Sequence, residues 1–160
     1  GTDSIKFGKF LVGNTDWVTS LFNTQFTKNP MVFFGILSYN NSYPMAIRAS
    51  NIKNNSFKFC SNTWPYLNNP QLSKIDTIAV LAINPGNYNF GGLKAEAKSV
   101  SSVSRTWKTV TFNEPFSTVP VVFCNIITNT NSIPLTLAVK NVTVNGFDLC
   151  LKSEEAGEDR

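Results

Sequence analysis

The sequence predicts an all-β protein built as two tandem antiparallel β-sandwich domains of about six strands each, the second lacking its last strand. Three observations lead there. Apolar and polar residues alternate with period two, and Thr, Val, Ile and Phe dominate; the 13 Phe favour pleated, half-buried surfaces. Turn signals recur about every 8–12 residues, the spacing of a sandwich. The chain also repeats itself at a spacing of 90 (107 − 17): Trp17 falls on Trp107, Phe22 on Phe112, Phe26 on Phe116 and Pro30 on Pro120. Val32-Phe33 falls on Val122-Phe123, Pro44 on Pro134, Asn51 on Asn141, Phe57 on Phe147 and Cys60 on Cys150. These are core and turn residues, and the period exceeds the roughly 20–50 residues of a solenoid repeat. Two copies of one small domain follow, 1–86 and a degenerate second copy over 87–160.

The elements can be justified in order. Ile5–Leu11 alternates Ile, Phe and Phe with Lys and Gly and reads as a strand. Gly13-Asn14-Thr15-Asp16 is a turn before Trp17. Val18–Gln25 reads as extended, with an irregularity near Leu21-Phe22, and Lys28-Asn29-Pro30 turns the chain. Met31–Leu37 is a short continuous apolar run between turn signals, as expected of a central strand. Tyr39 to Pro44 is a polar loop carrying two tyrosines, and Met45–Ile52 is the next strand. Lys53 to Ser56 is a tight turn, answered in the second copy by Val144-Asn145-Gly146, whose Asn-Gly is a strong hairpin signal. Phe57–Cys60 alternates inward Phe with outward Lys58, a long loop runs from Asn62 to Lys74, and Ile75–Ile83 closes the first copy.

Asn84-Pro85-Gly86-Asn87 reads as a linker, with the second copy starting near Asn89. Its expected strands are Leu93–Ser99, Trp107–Asn113, Val119–Ile127, Leu135–Val142 and Phe147–Lys152. The equivalent of Ile75–Ile83 is missing, so the second copy is expected either to be truncated or to have that sheet edge covered by another chain. An open edge invites pairing.

Composition narrows the function. Net charge is +4 with pI near 9.0, but the lysines stand singly at Lys6, Lys28, Lys53, Lys74 and Lys108. No basic stripe exists to track phosphates, which argues against a nucleic-acid partner. Glu154, Glu155, Glu158 and Asp159 form an acidic tail read as a solvated run. No run reaches 18 apolar residues, so no membrane span is expected, and no signal-peptide pattern opens the sequence. The sequons at Asn40, Asn54 and Asn141 carry little weight. Cys60, Cys124 and Cys150 read as small buried hydrophobes, with a Cys124–Cys150 bridge left open.

With no His, the chain has no Ser–His or Cys–His pair and no His-ligated metal. Asp3, Asp16, Asp76, Glu96, Glu114 and Asp148 share no motif that would pair two carboxylates for glycoside hydrolysis, and several sit in turns. The expectation is no enzyme, no catalytic residue, no cofactor and no metal.

Trp17, the run Phe22, Phe26, Pro30 and Val32, then Arg48 nine residues before Phe57, then Thr63-Trp64 and the strand Ile78-Ala79-Val80-Leu81-Ala82-Ile83 together resemble the H-type lectin domain family. The resemblance covers about residues 5–83 and, more weakly, 93–152. It implies a six-stranded antiparallel sandwich that assembles as a trimer and binds sugars, chiefly N-acetylgalactosamine. The chain departs from the family where Trp17 runs directly into its strand, without the long loop that supplies an acidic sugar contact. The family's sugar-contacting Arg aligns near Pro44, and of the binding set Trp64 matches. In the second copy Glu154 stands for Trp64 and Ala138 for Arg48, so sugar binding is assigned to the first copy.

Trp64 and Tyr66 are the leading ligand-facing pair, since a sugar's apolar face stacks on aromatic rings while polar groups bond its hydroxyls. Arg48, Tyr43 and Asn41 are the polar candidates beside them. The competing reading packs Trp64 over the end of the sandwich and pairs Arg48 locally. Trp17 and Trp107 recur in both copies and are read as core or strand-start residues. Two functions follow. One is a multivalent, non-enzymatic module recognising surface glycans, extracellular or on a virion. The other is a structural or receptor-binding part of a phage tail or fibre, whose small sandwiches are similar.

Overall fold

The computed structural model describes residues 4–13, 16–64, 66, 74–128, 130 and 133–153. The acidic tail, most of the Asn62–Lys74 loop and the centre of the Gly13–Asp16 turn lie outside the described residues. Among the described residues eleven strands are seen: β1 (Ile5–Val12), β2 (Val18–Leu21), β3 (Met31–Leu37), β4 (Met45–Ser50), β5 (Ser56–Thr63) and β6 (Asp76–Ile83), then β7 (Gly86–Phe90), β8 (Leu93–Ala97), β9 (Lys108–Thr111), β10 (Thr136–Lys140) and β11 (Gly146–Lys152). All pairing is antiparallel. Among the described residues no α-helix occurs, and none is therefore long and apolar enough to cross a membrane.

The N-terminal half is a sandwich of two three-stranded sheets, β1-β6-β3 over β2-β5-β4. Alternation puts Ile78, Val80 and Ala82 of β6 and Val32 of β3 on the inner face of one sheet, against Ala49, Phe57 and Phe59 of the other. Phe57 is fully buried and its ring meets Phe10, Phe22, Phe34 and Phe59 at centroid distances of 5.2–6.3 Å. A fully buried Phe removes of the order of 2–3 kcal/mol of apolar surface from water.

The C-terminal half repeats one of these sheets, β9-β11-β10, in the place of β2-β5-β4. The residues shared by the two halves share their geometry as well. Asn51 and Asn141 are both left-handed, with φ of 47° and 51°, a conformation Asn tolerates better than most residues. Phe22–Phe26 and Phe112–Phe116 both meet edge to face at 4.9 Å. The Phe22 amide donates to Asn55 O and the Phe112 amide to Asn145 O, each at 2.9 Å. The turns match too: Lys53 N donates to Ser56 O, and Thr143 N to Gly146 O. Gly146 is needed where it stands, because a Cβ there would lie 2.2 Å from the Val110 carbonyl oxygen.

The C-terminal core is thinner. Among the described residues its buried cluster members are Val110, Phe147 and Leu149, whereas the N-terminal cluster has nine, three of them from β6. The stretch Val119–Ile127, expected as a strand, joins no ladder. The reason is topological: its counterpart β3 pairs with β6, and the C-terminal half has no β6 among the described residues. The end of this stretch is used differently. Asn125 Oδ1 accepts from Phe34 N and Ile126 O from Ala49 N, both at 3.0 Å, while Ile127 packs into the N-terminal core. Phe34 and Ala49 sit on β3 and β4, edge strands of opposite sheets, so Asn125–Ile127 closes one side of the first sandwich.

The linker read at Asn84–Asn87 is shorter than expected. Gly86 already opens β7, which pairs with β8 through the turn Gly91-Gly92, at φ of 63° and 98°. Two glycines supply the positive φ at both positions that this tight hairpin requires. Tyr88 and Phe90 stack along β7 at 5.5 Å and 7°.

The cysteines are all free, and Cys60 and Cys150 are buried. Strand alternation places Cys60 on the face of β5 opposite Phe57 and Phe59, next to Arg48. Trp17 and Trp107 both stand just before a strand, half-buried and exposed respectively. Lys140 Nζ lies 4.1 Å over the Trp107 ring.

Candidate functional site

The pairing of β4 with β5 decides which candidate residues meet. Met45 lies opposite Thr63, so the chain entering β4 and the chain leaving β5 share one end of the sheet. Tyr43 sits two residues before Met45 and Trp64 directly after Thr63, so both stand in the chain next to that end, with Tyr66 two positions beyond Trp64. Tyr66 and Tyr43 are exposed and Trp64 is half-buried.

Asn41 and Arg48 are held differently. The Asn41 side chain is buried; its amide nitrogen donates to Asp76 Oδ2 and to Lys74 O, each at 2.7 Å. Arg48 is also buried, on the outer face of β4, and its guanidinium donates to the carbonyl of Ile133 in the C-terminal half. Register puts it opposite Cys60. Burial pushes the Cys60 thiol up to about 11, and the Arg48 charge offsets only part of that. Such a thiol is a poor nucleophile at neutral pH.

The residue that organises this end is Asp76, first residue of β6 and wholly shielded from solvent. Its Oδ1 accepts from Asn40 N at 2.6 Å and from Ser38 Oγ at 3.0 Å. Its Oδ2 accepts from the Asn41 side chain at 2.7 Å and from Asn41 N at 3.3 Å. Burial alone would raise the carboxyl pKa; these four donors more than offset that and hold it below the ordinary value. Asn40 Nδ2 adds a bond to Ile75 O. The loop from Ser38 to Asn41 is thus tied to the start of β6, with Tyr39 left-handed at φ 35° and facing solvent.

Sequence reading missed this role. Asp76 had no motif partner, and the one available signal was a lone carboxylate opening an otherwise apolar strand. The Arg48–Ile133 contact spans 85 positions and had no signal at all.

The apolar outer face of β1-β6-β3 is the other feature of note. Phe7, Leu81 and Phe33 form one cross-strand row, and Phe7 is 83% and Leu11 63% exposed. Among the described residues no group of three or more Cys, Asp or Glu is placed to hold a metal ion.

Against known proteins, the family model of the H-type lectin domain matches residues 107–158. The match begins at Trp107 and takes in β9, β10 and β11, the half in which the sequence resemblance was weaker. No curated protein and no solved structure matches the chain. The matched stretch is similar to a carbohydrate-binding, non-enzymatic module.

Proposed function

We propose that this chain is a non-enzymatic carbohydrate-recognition module of H-type-lectin character, with units divided near residue 86, that works as a trimer on an extracellular or virion surface. The observation that carries the reading is the H-type lectin match over 107–158, in a stretch whose core and turn residues repeat those of the first 83 residues. Sugar is bound by the N-terminal unit. Tyr43, Trp64 and Tyr66 offer ring faces at one sheet end, and the Asp76-tied loop, with Asn41, fixes the chain from which Tyr43 projects. Arg48 stands one layer back and steadies that end through Ile133. Supporting self-association is the row Phe7–Leu81–Phe33, an apolar sheet face on which alternation also places Lys9 of β1. Each site binds weakly, and the assembly gains by avidity.

A glycan array probed with the intact assembled protein tests this. Binding is expected to terminal N-acetylhexosamines and to fall at least about tenfold in Trp64→Ala and Tyr66→Ala, the worth of a stacked ring. No hit on any glycan, or hits that both variants retain, defeats the reading. Sedimentation should show a trimer that Phe7→Lys disperses.

A further inference from the structure

The loop between β3 and β4 holds a bulky residue in a backbone conformation that bulky residues avoid. Among the described residues four non-glycine positions have positive φ: Tyr39 at 35°, Asn51 at 47°, Ser102 at 54° and Asn141 at 51°. Two of them are Asn, whose short polar side chain tolerates the left-handed region, and those two stand at equivalent turns. Tyr lacks that tolerance, and its backbone is strained there. The chain thus uses Asn where a left-handed turn serves the fold in both halves, and Tyr at this one loop.

Packing does not offset the strain. Tyr39 is 77% exposed, so its ring removes little apolar surface from water. The conformation is imposed by its neighbours. Ser38 N donates to Thr77 O at 3.0 Å, and Ser38 Oγ donates to Asp76 Oδ1 at 3.0 Å while accepting from Thr77 N at 2.9 Å. On the other side Asn40 N donates to the same Asp76 Oδ1 at 2.6 Å, and Asn40 Nδ2 to Ile75 O at 2.7 Å. Both flanks of Tyr39 are therefore fixed to the start of β6, and the residue between them is held left-handed with its side chain in solvent. An aromatic ring displayed on a pinned loop is pre-organised for contact, because little backbone or side-chain freedom remains to be lost on binding.

We infer that Tyr39 contacts the ligand of the glycan site and helps set its specificity, its ring serving as a platform for the apolar face of a sugar ring. It lies on the same loop as Tyr43, four positions before it. The inference rests on the glycan reading above and adds to it a residue and the reason for its backbone. An exposed Tyr held under strain does nothing for stability, and strain retained at such a position belongs to a surface kept for binding.

The test uses the intact protein and two variants. Tyr39→Asn removes the ring and supplies a side chain suited to positive φ. Its urea midpoint should rise above the parent's. Its affinity for the glycan that the parent binds best on an array should fall about fivefold to tenfold, the worth of a stacked ring. Hydrogen exchange at Asn40 and Asn41 should stay as in the parent, since their bonds to Asp76 remain. Tyr39→Phe keeps both ring and strain, and should match the parent's midpoint and bind within about twofold of it. An Asn variant that binds as the parent does overturns the inference and leaves the glycan reading standing. Weaker binding with faster exchange at Asn40 and Asn41 overturns it in favour of a role in shaping the loop. An Asn variant no more stable than the parent overturns the strain argument, and equal loss in the Asn and Phe variants overturns the stacking role. A parent that binds no glycan defeats the glycan reading and this inference with it.

Discussion

Replacing Asp76 by Asn is the sharpest test of how the candidate site is held. The change is isosteric, so packing is preserved and only the hydrogen-bond chemistry alters. Four donors converge on the carboxylate: Asn40 N and Ser38 Oγ on one oxygen, Asn41 Nδ2 and Asn41 N on the other. An amide keeps one acceptor and turns an NH2 toward two donors. Hydrogen bonds to a charged group are each worth about 1.5–3 kcal/mol, and two are lost. Relief from burying a charge returns part of this, leaving a net loss of about 2–4 kcal/mol. At this chain length that is a fall in Tm of roughly 4–16 °C. Urea denaturation gives the energy, and hydrogen exchange gives the place: the Asn40 and Asn41 amides should open before the strands. The pH profile supplies an independent sign. The folded pKa of Asp76 is depressed, so its contribution is fully present above the unfolded value of about 3.9 and is lost as pH falls through the folded value. The parent should therefore lose this stability only below about pH 4, and the Asn variant should show a flatter acid limb. A variant as stable as the parent, with unchanged exchange at Asn40 and Asn41, would refute the role given to Asp76.

Further outcomes follow from the packing. Phe57→Ala should cost about 3–5 kcal/mol by denaturant titration, since four rings lose their common neighbour. Phe147→Ala should fall at or below the lower end of that range, because its ring partner is Phe112. Gly146→Ala should destabilise the β9–β11 pairing by at least about 2 kcal/mol, with the exchange loss confined to residues after 100, since the added methyl meets rigid backbone. The same experiment on Ser56, the matching position, should change stability by less than about 1 kcal/mol for Ser56→Gly. In the folded protein Cys60 should resist a thiol reagent at pH 8 and react once urea unfolds the chain, because burial holds its pKa near 11.

Much of the N-terminal half was legible from the residues. Met31–Leu37 carried a strand signal with bounds that match β3, and Ile75–Ile83 differs from β6 by one residue. Of the candidate site, the β4–β5 register puts Tyr43 and Trp64 in the chain next to one end of that sheet; the commitments of Asn41 to Asp76 and of Arg48 to Ile133 were invisible. Those two side chains are polar residues on or beside a strand, and nothing local distinguishes one facing solvent from one bonded to a distant carbonyl.

What local sequence fixed was local. Alternation set which strands form, and the recurring Asn51 and Asn141, with Phe22–Phe26 and Phe112–Phe116, set the same turns and ring pairs in both halves. The packed chain alone decided that Val119–Ile127 joins no sheet and that its last residues close the other half's sandwich. The reason is that a strand's conformation depends on its own side chains, whereas its pairing depends on which edge another part of the chain brings within hydrogen-bond reach.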